Sequence, residues 1–464
     1  MTKRITLSLP EGVRIVVPDS LDLITPYVLQ EQQDWFEDEI KFLRRLLQPG
    51  NRAIDVGANY GTYTLSMAHT VGPDGHVWAF EPASCTAEFL AESIAENAFG
   101  QISLECSAVS DTPGTAELAL YSSSELNALT RTNTPQHATE TVSVVTLDGY
   151  AASHDLHDID FIKIDAEGEE ANILKGGQTF FATESPLVQY EVKAGKELQL
   201  GLARLFDAYD YAAYRLIPGI DILAPMAVDT AAAPYMLNLF ACKPDRAALL
   251  AAAGYLLEAA TKPPDLATLL GYAADRSPKG WRDSIEALPY GKRLAESWER
   301  TGDHDEIGQA IALYALSHDP DASPTIRFHA LQTSFDRLVA LTGERASHPR
   351  LATLARVARD FGKRAVAVNA LGQLCKGILN AHQVDTDEPF LAPIARFDSI
   401  DPGETGGNWT LAAALEALEG LQAYSSFFTD TATRARLVML HDLGYASAEM
   451  QRRLKLIDRR HGTP

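Results

Sequence analysis

The stretch "FIKIDAEGEEANILKGG", Phe161 to Gly177, opens like a buried strand and closes like a helix. Phe161, Ile162 and Ile164 are apolar and favour extended backbone. Ala171, Ile173 and Leu174 then take up helical spacing, and Gly176 and Gly177 stop it. Between the two lie Asp165, Glu167, Glu169 and Glu170, and Lys163 sits inside the strand. In an open α/β sheet, ligands bind at the carboxyl ends of the strands, so carboxylates there mark a candidate site. Glu169 and Glu170 fall in the first helical turn, where the helix dipole favours negative charge, and are assigned to folding. Lys163 precedes Asp165 by two residues, so both point to the same sheet face. A buried lysine is costly unless paired, and Asp165 or Glu191, at the end of the next strand, can pair with it. Lys163 then either holds a carboxylate in place or binds an acceptor, or it is a satisfied internal ion pair.

The flanking sequence places this strand in a doubly wound sheet. "RAIDV", "HVWAF", "ISLECSAVS" and "PLVQYEV" read as strands, and "YGTYTLSMAHTV", "SCTAEFLAESIAENA" and "KELQLGLARLFDAYD" as helices. "GTAELALYSS" and "ETVSVVTLDGY" alternate like antiparallel strands, and "YRLIP" and "YMLNLFAC" read as a closing strand pair. Strands alternating with helices argue for an α/β sheet with an antiparallel edge. Residues 1–50 form an extension, with a strand at "VRIVV" and a helix at "DWFEDEIKFLRRLL", and are expected to pack on the domain spanning 51–245. From 246 to 464 strand-like runs disappear and helical runs follow one another, split by "DPDASP", "GERASHP" and "SIDPGETGG". This half reads as an all-α domain, either loosely solenoid-like or a plain bundle.

Composition narrows the partners. The 464 residues carry a formal charge of −22, which repels nucleic-acid backbones and anionic lipid. Four cysteines lack metal-ligand spacing and read as buried thiols of a reducing compartment. The N-terminus has no apolar core of a signal peptide, and no apolar run reaches the roughly 18 residues of a membrane span. A cytoplasmic location is expected.

"AIDVGANYGTYT" is strand, glycine turn and helix, with the spacing Asp55-x-Gly57-x-x-x-Gly61. It departs from the G-x-G-x-x-G of dinucleotide sites, which press a pyrophosphate onto a helix N-terminus. An acid ahead of the turn suits a ligand ammonium, and turn amides suit a carboxylate. That pair fits an amino-acid-like group, such as the methionyl part of S-adenosylmethionine. Glu81 ends the next strand in "VWAFEP" and follows Asp55 at the offset, roughly 20 or more residues, of acids that bind ribose hydroxyls. Ser107 and Ala108, in "ECSAVSD", are placed at the wall of an adenine site.

Taken in order, "DVGANYGTYT", "VWAFEP", "SAVSD", "VVTLDGY" and "IDFIKIDAEGEEANILKGG" resemble the FkbM-like family of S-adenosylmethionine-dependent methyltransferases over about residues 50–195. The resemblance implies the class I methyltransferase fold, a Rossmann-like seven-stranded sheet with an antiparallel last strand. It also implies methyl transfer to an oxygen, often a hydroxyl of a sugar or a natural product. On this resemblance Asp55, Gly57, Asn59 and Gly61 form the methionyl loop and Glu81 is the ribose ligand. Asp165, Glu167 and Gly168 match the family's strand-four signature, in which "DVEG" is more usual than this chain's Ala166. The helical half lies outside the resemblance.

Such a transfer needs an acceptor oxygen aligned with the donor methyl, and a base, because a sugar hydroxyl is a poor nucleophile at neutral pH. Asp165 is the first candidate for base or orienting group and Glu167 the second, with Lys163 the third site residue, on the same sheet face as Asp165. The acidic cluster could also hold magnesium, but no firm spacing points to it, and no metal is expected. His69, His137, His154 and His157 are other possible bases; His69, on the first helix, reads as structural, and His137, in a polar loop that could border an acceptor pocket, reads as a surface residue. The sequence admits two other readings. In one the chain is a non-catalytic assembly protein of a glycan-building complex; in the other it is a nicotinamide-dependent oxidoreductase, against which the missing G-x-G-x-x-G speaks. Beyond the donor and a hydroxyl acceptor, the helical domain is expected to serve a protein partner or self-association.

Overall fold

The structure is a computed structural model that describes residues 3–121, 124–129, 138–154, 156–194, 197–198, 201–226, 236–258, 262–301, 304–403, 406–429 and 431–461. The chain divides into two compact units, one built from residues up to 253 and one from 254 onward, with the turn 217–222 grouped with the second.

The first unit opens with an antiparallel pair, β1 (Arg4–Ser8) and β2 (Arg14–Pro18), then α1 (Ile24–Gln32) and α2 (Asp38–Leu46). There follow β3 (Arg52–Val56), α3 (Thr62–Val71), β4 (His76–Phe80), α4 (Ser84–Asn97) and β5 (Ile102–Glu105). A second sheet comprises β6 (Ser107–Val109), β7 (Gly114–Leu120), β8 (Ala128–Leu129) and β9 (Ala138–Val145), in the order β6-β9-β7-β8. The chain then runs through α5 (Leu147–His154), β10 (Phe161–Ile164), α6 (Glu170–Gly176), α7 (Gln178–Thr183) and β11 (Leu187–Glu191). It ends with the short pair β12 (Lys193–Ala194) and β13 (Glu197–Leu198), α8 (Gly201–Asp207), β14 (Ala212–Ile217), β15 (Ile222–Pro225), β16 (Asn238–Cys242) and α9 (Pro244–Ala252).

The main sheet has the order β15-β14-β16-β11-β10-β3-β4-β5. From β5 to β11 the strands are parallel, and β16 lies antiparallel to both β11 and β14. This is the expected doubly wound sheet with an antiparallel late strand, except that β15 adds an eighth strand at the outer edge. The expected third strand also differs. It breaks at exposed Cys106: β5 stays in the main sheet, while β6 pairs parallel with β9 in the second sheet. The alternating segments of β7 and β9 offer a free edge there, and the chain follows it. The helix expected over "KELQLGLARLFDAYD" is confined to α8, and Glu197–Leu198 pairs with Lys193–Ala194 instead.

Strand order reverses between β3 and β10, the switch point at which α/β sheets bind ligands. The pleat sorts the central strands by face. Ile54, Val56, Ile162, Ile164, Val188 and Tyr190 pack into one apolar core with α5, α6, α7 and α8. Asp55, Lys163 and Gln189 are paired neighbours across β3, β10 and β11 and face the opposite side. All three are buried. A polar row therefore crosses the sheet at its switch point.

The second unit is helical. Among the described residues its α-helices are α10 (Leu266–Arg276), α11 (Trp281–Ile285), α12 (Pro289–Thr301), α13 (Asp305–Ser317), α14 (Pro324–Glu344), α15 (His348–Asp360), α16 (Arg364–Ala381), α17 (Gly407–Gln422), α18 (Thr431–Asp442) and α19 (Ala448–His461). From α13 to α19 each helix packs on the next. Inside it, Tyr314 donates to Asp360 at 2.7 Å, and Arg356 pairs with Asp398 at 2.9 Å and donates to the Tyr314 hydroxyl at 3.0 Å. Among the described residues no helix is long and apolar enough to cross a membrane.

Candidate functional site

The loop after β3 is shaped by two glycines. Gly57 has φ +82°, and a Cβ there would lie 1.8 Å from the Asp165 carbonyl oxygen. Asp165 in turn donates its N–H to the Val56 carbonyl at 3.1 Å, so the ends of β3 and β10 are pressed together. Gly61 (φ +92°) caps α3, where a Cβ would meet Leu90 Cδ1 at 2.4 Å. Only glycine combines this backbone with this approach. Asp55, just ahead of the loop, accepts from Thr64 Oγ1 at 2.6 Å through Oδ2. Its Oδ1 is buried with no hydrogen-bond partner among the described residues. Burial pushes the Asp55 carboxyl up, and the Lys163 charge opposes that.

Glu81 closes the same loop from β4. Its Oε2 accepts from the Asn59 N–H at 2.8 Å and its Oε1 from the Ala83 N–H at 2.9 Å. Each oxygen keeps a second lone pair for a ligand hydroxyl. Burial holds this carboxyl up at about 7 despite the two amides. Asn59, with φ +50°, accepts from Tyr60 N–H at 2.8 Å and from Ser124 Oγ at 3.0 Å.

At the end of β10, Lys163 Nζ donates to Asp165 Oδ2 at 2.7 Å. Of the two partners open to Lys163 in the sequence, Asp165 is the one hydrogen-bonded. Burial works against the ammonium, but Asp165, Asp55 and Glu37 outweigh it and hold it above the usual lysine range. Asp165, Glu167 and Glu191 each offer a carboxylate oxygen within 4.8 Å of the others. Burial and then the neighbouring Asp165 carboxylate push Glu167 up to about 8 and Glu191 up to about 10. Glu167 and Gly168 form the turn (φ +47° and +98°) that leads into α6. Glu170 accepts the N–H groups of Ala166 and Gly168, and Glu169 accepts from Ser110 Oγ at 2.7 Å. These two carboxylates tie down the loop and its helix.

Sequence reading passed over the residues facing the polar row. Tyr63, on α3, lays its ring against Lys163 Nζ, 4.8 Å from the centroid. Its hydroxyl donates to Glu37 Oε2 at 2.5 Å and accepts from Gln189 Nε2 at 3.2 Å. Asn238 Nδ2, on β16, donates to the same Glu37 oxygen at 3.2 Å. Burial raises the Glu37 carboxyl, against the pull of Lys163. A polar glutamine in the apolar run "LVQYE" was the available signal; nothing in the sequence joined Glu37 to it.

Ser107 and Ala108 lie in the second sheet, not at the end of a main-sheet strand. Ala108 packs with Ala83, two residues beyond Glu81, so this strand still flanks the Glu81 turn. His69 faces Glu11 at 3.7 Å, His154 stacks on Tyr150 and His157 contacts Arg52; none of them joins the polar row. His137 lies outside the described residues.

Residues 55–213 match the family model of the Methyltransferase FkbM domain, which meets the resemblance read from the sequence and leaves the helical half uncovered. Similar solved structures include the methyltransferase FkbM from Methylobacillus flagellatus KT, 16% identical, covering 42% of this chain and 44% of that one, with a TM-score of 0.30. This chain thus spans less than half the length of that protein. A SAM-dependent O-methyltransferase from Thermotoga maritima is 13% identical over 52% of this chain and 77% of its own, with a TM-score of 0.27. M. jannaschii TYW2, solved in complex with AdoMet, is 12% identical over 52% and 85%, with a TM-score of 0.29. No curated protein matches the chain.

Proposed function

We propose that this methyltransferase-family chain is an S-adenosylmethionine-dependent O-methyltransferase whose acceptor is a hydroxyl of a glycan or another small molecule. The observation that carries the reading is Asp55 Oδ1, fully buried beside the Gly57–Gly61 loop and without a hydrogen-bond partner among the described residues. A buried carboxylate oxygen without a donor is costly unless a ligand supplies one. The α-ammonium of S-adenosylmethionine is such a donor, and Glu81 stands one strand away for the ribose hydroxyls. Gly57, Asn59 and Gly61 shape the loop between them, and Ser107 and Ala108 border the adenine side.

When bound, S-adenosylmethionine supplies a methyl group activated by its sulfonium. The chain's own groups then have to orient and deprotonate a hydroxyl. Asp165 is the base in this reading: it sits at the switch point, and Lys163 balances its charge at 2.7 Å. Glu167, held up at about 8, carries a proton at neutral pH and can donate to the acceptor. Residues 1–50 pack on a catalytic domain of 51–245, and residues 246–464 serve a partner or self-association in a cytoplasmic setting.

The test is radiolabelled methyl transfer from S-adenosylmethionine into a panel of glycans and simpler hydroxyl compounds. Asp165→Asn is expected to lower kcat by about 10²–10⁴-fold, the range of a lost general base. Equal rates would remove Asp165 from that role, and absence of donor binding by calorimetry would remove the reading.

A further inference from the structure

Lys163 stands between two carboxylates. It is hydrogen-bonded to Asp165, but Asp55 is its directly paired neighbour on β3, on the same face of the sheet. An ammonium carries three donors, and a buried carboxylate oxygen without a partner attracts it strongly. Yet Asp55 Oδ1 has no partner among the described residues. Something holds the lysine on the Asp165 side.

The Tyr63 ring is placed to do this. It lies against Nζ, and its hydroxyl is fixed at both ends, donating to Glu37 and accepting from Gln189. Glu37 is fixed in turn by Asn238. The clamp thus joins the start of α2 to α3, β11 and β16, and its acid comes from the N-terminal extension, ahead of the family match. Burial of Tyr63 and the charge of Glu37 keep the phenol protonated, so the hydroxyl stays a donor.

We propose that Glu37 is a positioning residue: through Tyr63 it keeps the Lys163 ammonium on Asp165 and leaves Asp55 Oδ1 open for the ammonium of the methyl donor. Lys163 and the ligand ammonium are competitors for one oxygen, and Glu37 decides the competition without touching the donor. The inference rests on the donor assignment under Proposed function.

Calorimetry with S-adenosylmethionine alone tests it. Glu37→Gln, nearly isosteric, and Tyr63→Leu are each expected to weaken binding about tenfold, the scale of one lost charge-assisted hydrogen bond. Adding Lys163→Met should erase that difference, so that each double variant binds the donor as Lys163→Met does alone. General damage to the fold would not be rescued by removing the lysine. Lys163→Gln repeats the comparison with a polar side chain, and melting curves report whether each variant is folded. Unchanged affinity in both single variants overturns the inference, as does a loss that persists without Lys163. If the wild type itself fails to bind the donor, the donor assignment falls as well; binding by the wild type with indifferent variants removes the clamp only.

Discussion

Single residues at this site are held in protonation states that their sequence neighbours do not predict. Glu81 is the clearest case. Its usual carboxylate value of 4.5 rises to about 7 because it is buried. Below that pH the free protein therefore carries it neutral, and above it ionised. A ribose hydroxyl donates more strongly to the ionised form. Donor affinity should be highest above pH 7 and weaken as pH falls through about 7. Glu81→Gln should raise Kd about tenfold or more and flatten that pH dependence. Calorimetry across pH 5.5–8.5 checks both; a slope that survives in Glu81→Gln would assign it elsewhere. The sequence placed Glu81 at the end of its strand correctly, because a strand followed by a Pro-marked turn is a local signal. The shift itself was illegible, since it depends on what covers the carboxylate.

At the scale of elements, the site is made by one contact between two loops. The turn after β3 and the end of β10 are far apart in sequence, yet Gly57 touches the Asp165 carbonyl. Gly57→Ala would force both a clash with backbone and a φ that alanine resists. The φ strain alone costs on the order of 1–3 kcal/mol. The variant should melt lower than the wild type and lose donor binding; a melting temperature within a degree of the wild type would contradict this packing. The glycine spacing and the strand–turn–helix order were readable because they are local. The break between β5 and β6 was not, because it arises from a competing edge on β9 that only the folded chain brings near. Glu37 was missed for the same reason: its partners lie on α3 and β16, and no periodicity links them.

At the scale of the whole molecule, the chain carries a formal charge of −22. Like charges on the surface repel, and salt screens exposed charges over about 10 Å at 0.1 M while leaving buried pairs largely untouched. The melting temperature should therefore rise as salt increases from about 10 mM to about 300 mM. A fall would mean that surface ion pairs outweigh the repulsion. The same charge predicts no retention on heparin at physiological salt. Charge, hydropathy and strand–helix alternation are sums and periodicities along the chain, so the sequence by itself determined the α/β class, the helical half, the glycine loop and the carboxylates at its strand ends. Tertiary structure alone decided which of these meet. Asp55, Lys163 and Gln189 became one row because strand order reverses between β3 and β10. Lys163 chose Asp165 because a tyrosine from one helix and a glutamate at the start of another close on it, and such distances are set by packing in three dimensions.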